Sequence, residues 1–244
     1  SVIDLFDIGV TAQARFDKLS ERVSVKGGKV FFDNQPTHNA LTEQVVRFIE
    51  DGQEDFGPLV EFFEKVQSNP NEHSREQLYS WLDVHDFTIL PNGNFVGYKG
   101  VRSVATTDGV KYESISHGTA ISDGVEYTGA IPNPIGSVIE MPRDAVQHDP
   151  SVGCHTGLHV GTWDYASGFA QGAVLKVEVN PRDVVSVPTD CNHAKLRTCR
   201  YTVLEVIQAP VAGPLDYDYF DDEEDDYGFD EIEADYEEAI AGFR

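Results

Sequence analysis

The chain has 244 residues, of which 40% are hydrophobic, so it can bury a sizeable core in one large or two small domains. Its formal net charge is −24: fourteen acidic residues against one arginine give −13 to residues 215–244, and the remaining body carries −11. An acidic body excludes a general phosphate-binding surface, so nucleic acid is not an expected partner.

The first part of the chain predicts an N-terminal arm, a β-hairpin and three helices. Residues 1–22 show apolar residues at helical spacing weakened by Gly9, which is typical of an arm or a short helix. Two alternating runs joined by Lys26-Gly27-Gly28-Lys29 predict a hairpin. Three helices follow within residues 23–86: one capped by Asn39, one after Pro58, and one that opens on the capping box Ser74-Arg75-Glu76-Gln77.

From Phe87 onward, alternation replaces the helical spacing. Pro91-Asn92-Gly93-Asn94 predicts a hairpin turn, and glycine- and asparagine-rich connections lead on to later strands. The sequence therefore predicts an α+β fold, with the hairpin and helical unit followed by a mixed β-rich domain over residues 87–209.

Residues 210–244 are predicted to form an acidic tail in which aromatic residues are spaced among carboxylates. Like charges at this density repel, so the stretch cannot fold alone. One interpretation is a solvated tail that aids solubility. The other is that its aromatic residues anchor it on a basic partner surface.

Three cysteines without regular spacing indicate a reducing compartment rather than a disulfide framework. Asp4 and Asp7 interrupt the only apolar run near the N-terminus, so a signal peptide is not expected. No segment approaches the roughly 18 apolar residues of a membrane span. We expect a cytoplasmic protein that contacts a membrane at most peripherally.

The densest chemistry lies at a strand-to-helix corner, Gly153 to Tyr165, where Leu158 and Val160 alternate with His159 and Thr162 can cap a short helix. Cys154, His159, Cys191 and Cys199 are candidate zinc ligands, although no CxxC pair occurs. A Cys-His-Asp arrangement would combine Cys154 and His159 with Asp164 or Asp190. The plainer alternative is that the cysteines are small buried residues and that the backbone satisfies the histidine.

Several motifs occur in an order that resembles one family. They are Thr37-His38-Asn39-Ala40-Leu41-Thr42, Gly57-Pro58-Leu59-Val60-Glu61-Phe62-Phe63, Pro91-Asn92-Gly93-Asn94-Phe95-Val96-Gly97-Tyr98-Lys99-Gly100, Gly136-Ser137-Val138-Ile139-Glu140-Met141-Pro142-Arg143, Cys154-His155-Thr156-Gly157-Leu158-His159 and Val179-Asn180-Pro181-Arg182-Asp183. Over residues 23–207 the chain resembles the rIIB-type proteins of tailed bacteriophages. The resemblance implies an early phage protein in the host cytoplasm that protects infection against exclusion, partly at the inner membrane and with an rIIA-type phage partner.

A second resemblance, to the nicotinamide pocket of ADP-ribosyltransferases, involves His117-Gly118-Thr119 and the run from Gly157 to Ala170. It implies a split-sheet scaffold in which His117 holds a ribose, Trp163 or Tyr165 stacks, and Glu178 or Glu205 serves as the glutamate. His159 stands where that family has tyrosine. The scaffold could therefore be active, or degenerate and able only to bind a nucleotide.

The densest positive group in the body consists of Lys195, Arg197 and Arg200. These side chains could bind a phosphate or a carboxylate, or could form a solvated strand edge.

Taken together, the features of the sequence favour non-catalytic binding of a host or phage protein. The residues identify neither a cofactor nor an oligomeric state.

Overall fold

In the computed structural model, which describes residues 2–217, helices and a large antiparallel sheet form the α+β fold that the sequence predicts. The helices of this part of the chain are α1 (Val2–Phe16), α2 (Asn39–Glu50), α3 (Gly57–Gln67), α4 (Glu72–Val84) and α5 (Trp163–Phe169). Its strands are β1 (Val23–Lys26), β2 (Lys29–Phe32), β3 (Gln35–Pro36), β4 (Phe95–Thr106), β5 (Gly109–Ser114), β6 (Gly118–Ser122), β7 (Val125–Gly129), β8 (Val138–Glu140), β9 (Leu158–Gly161), β10 (Gly172–Val179), β11 (Val184–Ser186), β12 (Lys195–Thr198) and β13 (Arg200–Ile207).

The N-terminal hairpin and the three helices after it form as predicted, with small differences at the helix starts. Helix α2 is capped by His38 instead of Asn39, because the imidazole Nδ1 accepts the amide hydrogen of Ala40 at 3.3 Å. Helix α4 begins two residues before the predicted capping box, since the side chain of Asn71 accepts from the Ser74 amide and caps an earlier turn.

Aromatic side chains connect the helical unit to the sheet. The ring of Phe95 on β4 lies 6.5 Å from Phe62 of α3 and 5.4 Å from Trp81 of α4, and all three residues are buried. Amide side chains cross the same boundary, because Asn69 Nδ2 donates to the carbonyls of Pro181 and Val184 at 3.0 and 2.8 Å. One hydrophobic core therefore extends across the predicted boundary near residue 86.

The large sheet has the strand order β11-β12-β9-β4-β10-β13-β8-β6-β7, with β5 paired to the far part of β4. Its pairings are antiparallel, and the long central strand β4 is matched to β10 from Phe95↔Val179 to Arg102↔Gly172. Strand β13 pairs with β10 on one edge and with β8 on the other. This continuous antiparallel order gives no support to the expected ADP-ribosyltransferase-like split sheet.

The glycine-rich connections after β4 are themselves hairpins, which is a correction to the sequence analysis. Strand β5 folds back on β4, and β6 pairs with β7 around Asp123 and Gly124. Both turn residues have positive φ, 47° and 77°, which suits a tight hairpin turn. Ser122 and Val125 flank that Asp-Gly pair and face each other across the hairpin, so the Asp-Gly pair is the sequence signal for this turn.

After β13, residues 211–216 pack back onto the body. The amide of Val211 donates to the hydroxyl of Tyr98 at 2.8 Å, and Leu215 is buried beside Ile89. Asp216 pairs with Lys176 at 2.6 Å, and both side chains are less than 5% exposed. Residues 218–244, most of the predicted acidic tail, lie outside the described residues.

Within residues 2–217, no helix has both the length and the apolar character that crossing a membrane requires.

Candidate functional site

The strand-to-helix corner forms as predicted. Strand β9 runs into α5, and Thr162 caps the helix by accepting the Tyr165 amide at 3.4 Å. Gly161 is required at the bend, since a Cβ there would lie 2.6 Å from the Tyr165 ring and 2.9 Å from the Ala194 carbonyl. Strand β12 pairs with β9 so that Arg197 lies opposite His159.

Lys195 and Arg197, the two cations predicted at the corner, already have partners within the protein. Lys195 is almost fully buried, and its Nζ lies 2.8 Å from the Asp190 carboxylate and 6.0 Å from the centre of the Tyr165 ring. Arg197 is 0% exposed and donates to backbone carbonyls, including those of Gln147 at 3.3 Å and Gly153 at 2.7 Å. Because its guanidinium holds the loop before β9, Arg197 stabilises that loop and does not face solvent.

His159 is held neutral at the corner. Burial is the main cause, and the nearby positive charges of Lys99, Arg197 and Lys195 add to it, so that the pKa of His159 falls from 6.5 to about 3; Asp190 opposes the fall. Lys99 donates from Nζ to the His159 carbonyl at 3.0 Å, and burial lowers the pKa of Lys99 to about 8. A neutral imidazole among three cations is poorly placed to gain a proton near pH 7.

The three cysteines do not converge. Cys199 lies between β12 and β13 beside Asp183 and Arg143, and burial raises the pKa of its thiol. Cys154 and Cys191 lie near Tyr165 instead. In residues 2–217 no three or more His, Cys, Asp or Glu side chains are grouped in a way that could hold a metal ion.

The residues expected for nicotinamide binding are spread over the sheet. His117, Gly118 and Thr119 are exposed where β6 begins, and the order of the sheet places β4, β10, β13 and β8 between β6 and β9. Trp163 packs edge-on against Tyr98, 5.6 Å between ring centres.

The two glutamates proposed for that pocket are also apart from the corner. Glu205 pairs with Lys176 at 2.9 Å, and Glu178 lies in a separate cleft.

That cleft is a polar cavity of about 450 Å³ where the ends of β10 and β13 meet the turn before β4. It contains two residues that the sequence analysis singled out, Glu178 and Arg200, together with residues that it did not. The full lining is Asn94, Glu178, Asn180, Arg182, Asp183, Arg200, Tyr201 and Thr202. Arg200, predicted to act with Lys195 and Arg197, thus faces this cleft and not the corner.

A chain of hydrogen bonds fixes Glu178 in the cleft wall. Lys65 of α3 donates to the Asn94 side-chain oxygen at 2.8 Å and to the Asn92 carbonyl at 2.5 Å. The side-chain amides of Asn92 and Asn94 both donate to Glu178 Oε1, the former at 2.5 Å. Gly93 makes the turn possible, because its φ is +76° and a Cβ would lie 2.6 Å from the Phe62 backbone nitrogen.

The opposite wall of the cleft combines a carboxyl group with guanidinium groups. Burial raises the pKa of Asp183, and the positive charges of Arg200, Arg182 and Arg143 act against that rise. Arg143 is occupied by the Arg182 and Val184 carbonyls at 2.8 and 3.0 Å. Arg200 keeps a loose pair with Glu140 at 3.5 Å on the neighbouring strand β8. The cleft therefore presents both signs of charge.

Comparison with known proteins gives a family for this chain. The family model described as bacteriophage T4 protein rIIB matches residues 2–216. The chain belongs to the rIIB family of bacteriophage proteins. Protein rIIB of Enterobacteria phage T4 is 33% identical to it over 189 residues, which are 77% of this chain and 54% of that relative, so the chain spans about half the length of the curated relative. No solved structure matches it.

The match confirms the resemblance inferred from the ordered motifs. It also places both the corner and the cleft inside the rIIB region, since residues 153–165 and 178–202 fall within 2–216. The family model ends at Asp216, the residue that pairs with the buried Lys176. The acidic stretch from residue 218 lies beyond the match.

Proposed function

We propose that this rIIB-family chain acts by binding a host or phage protein during infection, without turnover. The role would be to protect infection against exclusion in the host cytoplasm, at most peripherally to the inner membrane, and an rIIA-type phage protein is one candidate partner. The observation that carries the proposal is that Leu215 and Asp216, at the start of the acidic segment, are buried against the body.

Leu215 and Asp216 are buried against the body, and residues 218–244 contain 13 acidic residues, one arginine and six aromatic residues. A stretch of that composition cannot bury enough apolar area to fold alone. Because the residues just before this stretch are anchored, it leaves the body at a defined position. Its carboxylates can steer a basic partner toward it, and its aromatic rings can supply contact area. This combination supports a binding role.

The occupied corner supports the same proposal. Lys195 is paired with Asp190 and Arg197 donates to backbone carbonyls, while burial and nearby positive charges keep His159 neutral. A catalytic acid or base needs a free group with a pKa near the working pH.

The test is affinity capture from infected cells with the tagged full chain and with a chain that ends at Tyr217, which keeps the Lys176–Asp216 pair. Two further variants separate the contributions. One replaces the aromatic residues by serine: Tyr219, Phe220, Tyr227, Phe229, Tyr236 and Phe243. The other replaces the thirteen acidic residues by Asn and Gln.

We expect one host or phage protein to be captured by the full chain and lost from the shortened one, with salt-sensitive capture that both substituted variants weaken. Equal capture by all four chains would contradict a binding role for residues 218–244. Release of a chemically altered nucleotide or protein by the purified chain would contradict the absence of turnover.

A further inference from the structure

The polar cleft has hydrogen-bonding capacity that the protein does not use. Glu178 Oε1 receives two amide hydrogens, while Oε2 has no hydrogen-bond partner in the described part of the chain. The exposed Arg182 guanidinium has no hydrogen bond or ion pair among residues 9–217. Asn180 Oδ1 accepts the Arg182 amide at 3.0 Å, which leaves its Nδ2 hydrogens available. These groups line a space of about 450 Å³, within the range of small-ligand sites.

The carboxylate in this cleft is fixed before any ligand arrives. Lys65 orients the Asn94 amide, and the amides of Asn92 and Asn94 hold Glu178 by one oxygen. A ligand that binds Oε2 would therefore meet a side chain whose conformational entropy has already been lost. Such preorganisation favours binding.

The signs of the charges indicate the ligand class. Two carboxyl groups, Glu178 and Asp183, share the lining with two guanidinium groups, Arg182 and Arg200, so its formal charge is zero. Residues 1–217 as a whole carry −12. A simple anion would meet both carboxyl groups, and a simple cation both arginines. A ligand with one charge of each sign satisfies both.

We propose that this cleft binds a short zwitterionic peptide. Arg182 and Arg200 bind its terminal carboxylate, and Glu178, through its unused Oε2, binds its terminal ammonium group. The amide of Asn180 and the hydroxyl of Thr202 are available to the peptide backbone between the two ends. A single amino acid would fill less of the cavity and would have no backbone to engage these groups.

The proposal does not depend on the acidic segment beyond residue 217. If the chain that ends at Tyr217 no longer captures a partner, that result concerns only the proposed function. If variants of the cleft no longer bind the peptide, that result concerns only this inference.

The test uses the full chain labelled with ¹⁵N and follows its amide NMR signals during titration with triglycine at pH 7. Two probes are matched to it: N-acetyl-triglycine amide, which lacks both charges, and inorganic phosphate, which carries only the negative one. We expect triglycine to shift the signals of residues 178–183 and 200–202 in a saturable way, and each matched probe to bind at least tenfold more weakly.

The Arg182→Ala and Glu178→Gln variants should each weaken triglycine binding at least tenfold, because each removes one charge of the cleft. Lys111→Ala, at an exposed position on β5, is the matched control and should bind as the unaltered chain does. Circular dichroism of each variant verifies folding. Equal binding of the capped peptide or of phosphate would overturn the proposal, and so would unchanged binding by the Arg182→Ala variant or the absence of saturable shifts.

Discussion

Acid should destabilise this protein through His159. The unfolded chain binds a proton at this imidazole with a pKa of 6.5, whereas the folded chain does so only at about 3. Between these values the unfolded state holds more protons, so stability is present above pH 6.5 and is lost as the pH falls toward 3. From pH 7 to pH 5 the loss from this one residue is about 2 kcal/mol.

Urea unfolding followed by far-UV circular dichroism at pH 7 and at pH 5 measures this loss. The His159→Gln variant cannot take up a proton, so its stability should fall by about 2 kcal/mol less over the same interval. Other titrating groups act equally in both chains and cancel in the comparison. His117→Gln, at an exposed position, is the matched control and should behave as the unaltered chain.

If the His159→Gln variant and the unaltered chain lost stability in parallel, the imidazole would be solvated and the reasoning from burial and neighbouring cations would be refuted. A direct check is the imidazole proton resonance of His159, which should keep the position of the neutral ring down to pH 5.

Three further changes test other parts of the fold by urea unfolding. Asp216→Ala leaves Lys176 with only a half-exposed partner and should cost about 3 kcal/mol; a loss under about 1 kcal/mol would contradict a structural role for the docked segment. Gly93→Ala should cost about 2–4 kcal/mol because its Cβ meets backbone, whereas Gly124→Ala, at a similar φ with open space, should cost only about 1; equal losses would contradict the close approach. Folding lowers the pKa of Lys99 from 10.5 to about 8, so the unfolded state binds more protons between these values. The free energy of unfolding should therefore rise by about 2 kcal/mol from pH 7 to pH 9.5. The same rise in the Lys99→Met variant would contradict Lys99 as its source.

The helical unit could be predicted because each helix has its own local signals. Apolar spacing identified three helices, and Pro58 lies in the first turn of α3, as its fixed φ and missing amide hydrogen favour. The start of α4 was predicted too late because two capping signals, Asn71 and Ser74, lie three residues apart. Only the packed helix shows which of them caps it.

The corner could also be predicted, since Thr162 and the alternation of β9 are local features. The cleft could not. Its lining comes from Asn94, from four residues within 178–183 and from residues 200–202, and the register of β10 against β13 brings Glu178 opposite Thr202. No spacing along the chain indicates that register. Polar residues at the ends of adjacent antiparallel strands are a signal that becomes readable only when the strand order is known.

The corner and the cleft show why a high local density of reactive residues is a weak guide to a binding site. A guanidinium that is removed from water needs hydrogen-bond acceptors inside the protein. Arg197 donates to backbone carbonyls of the loop before β9, so its hydrogens are not available to a ligand. Arg182 stays exposed at the cleft and keeps its hydrogens for a ligand. Sequence records which residues are charged, but burial decides which charges remain available. In this rIIB-family chain, the cleft therefore retains more binding capacity than the corner.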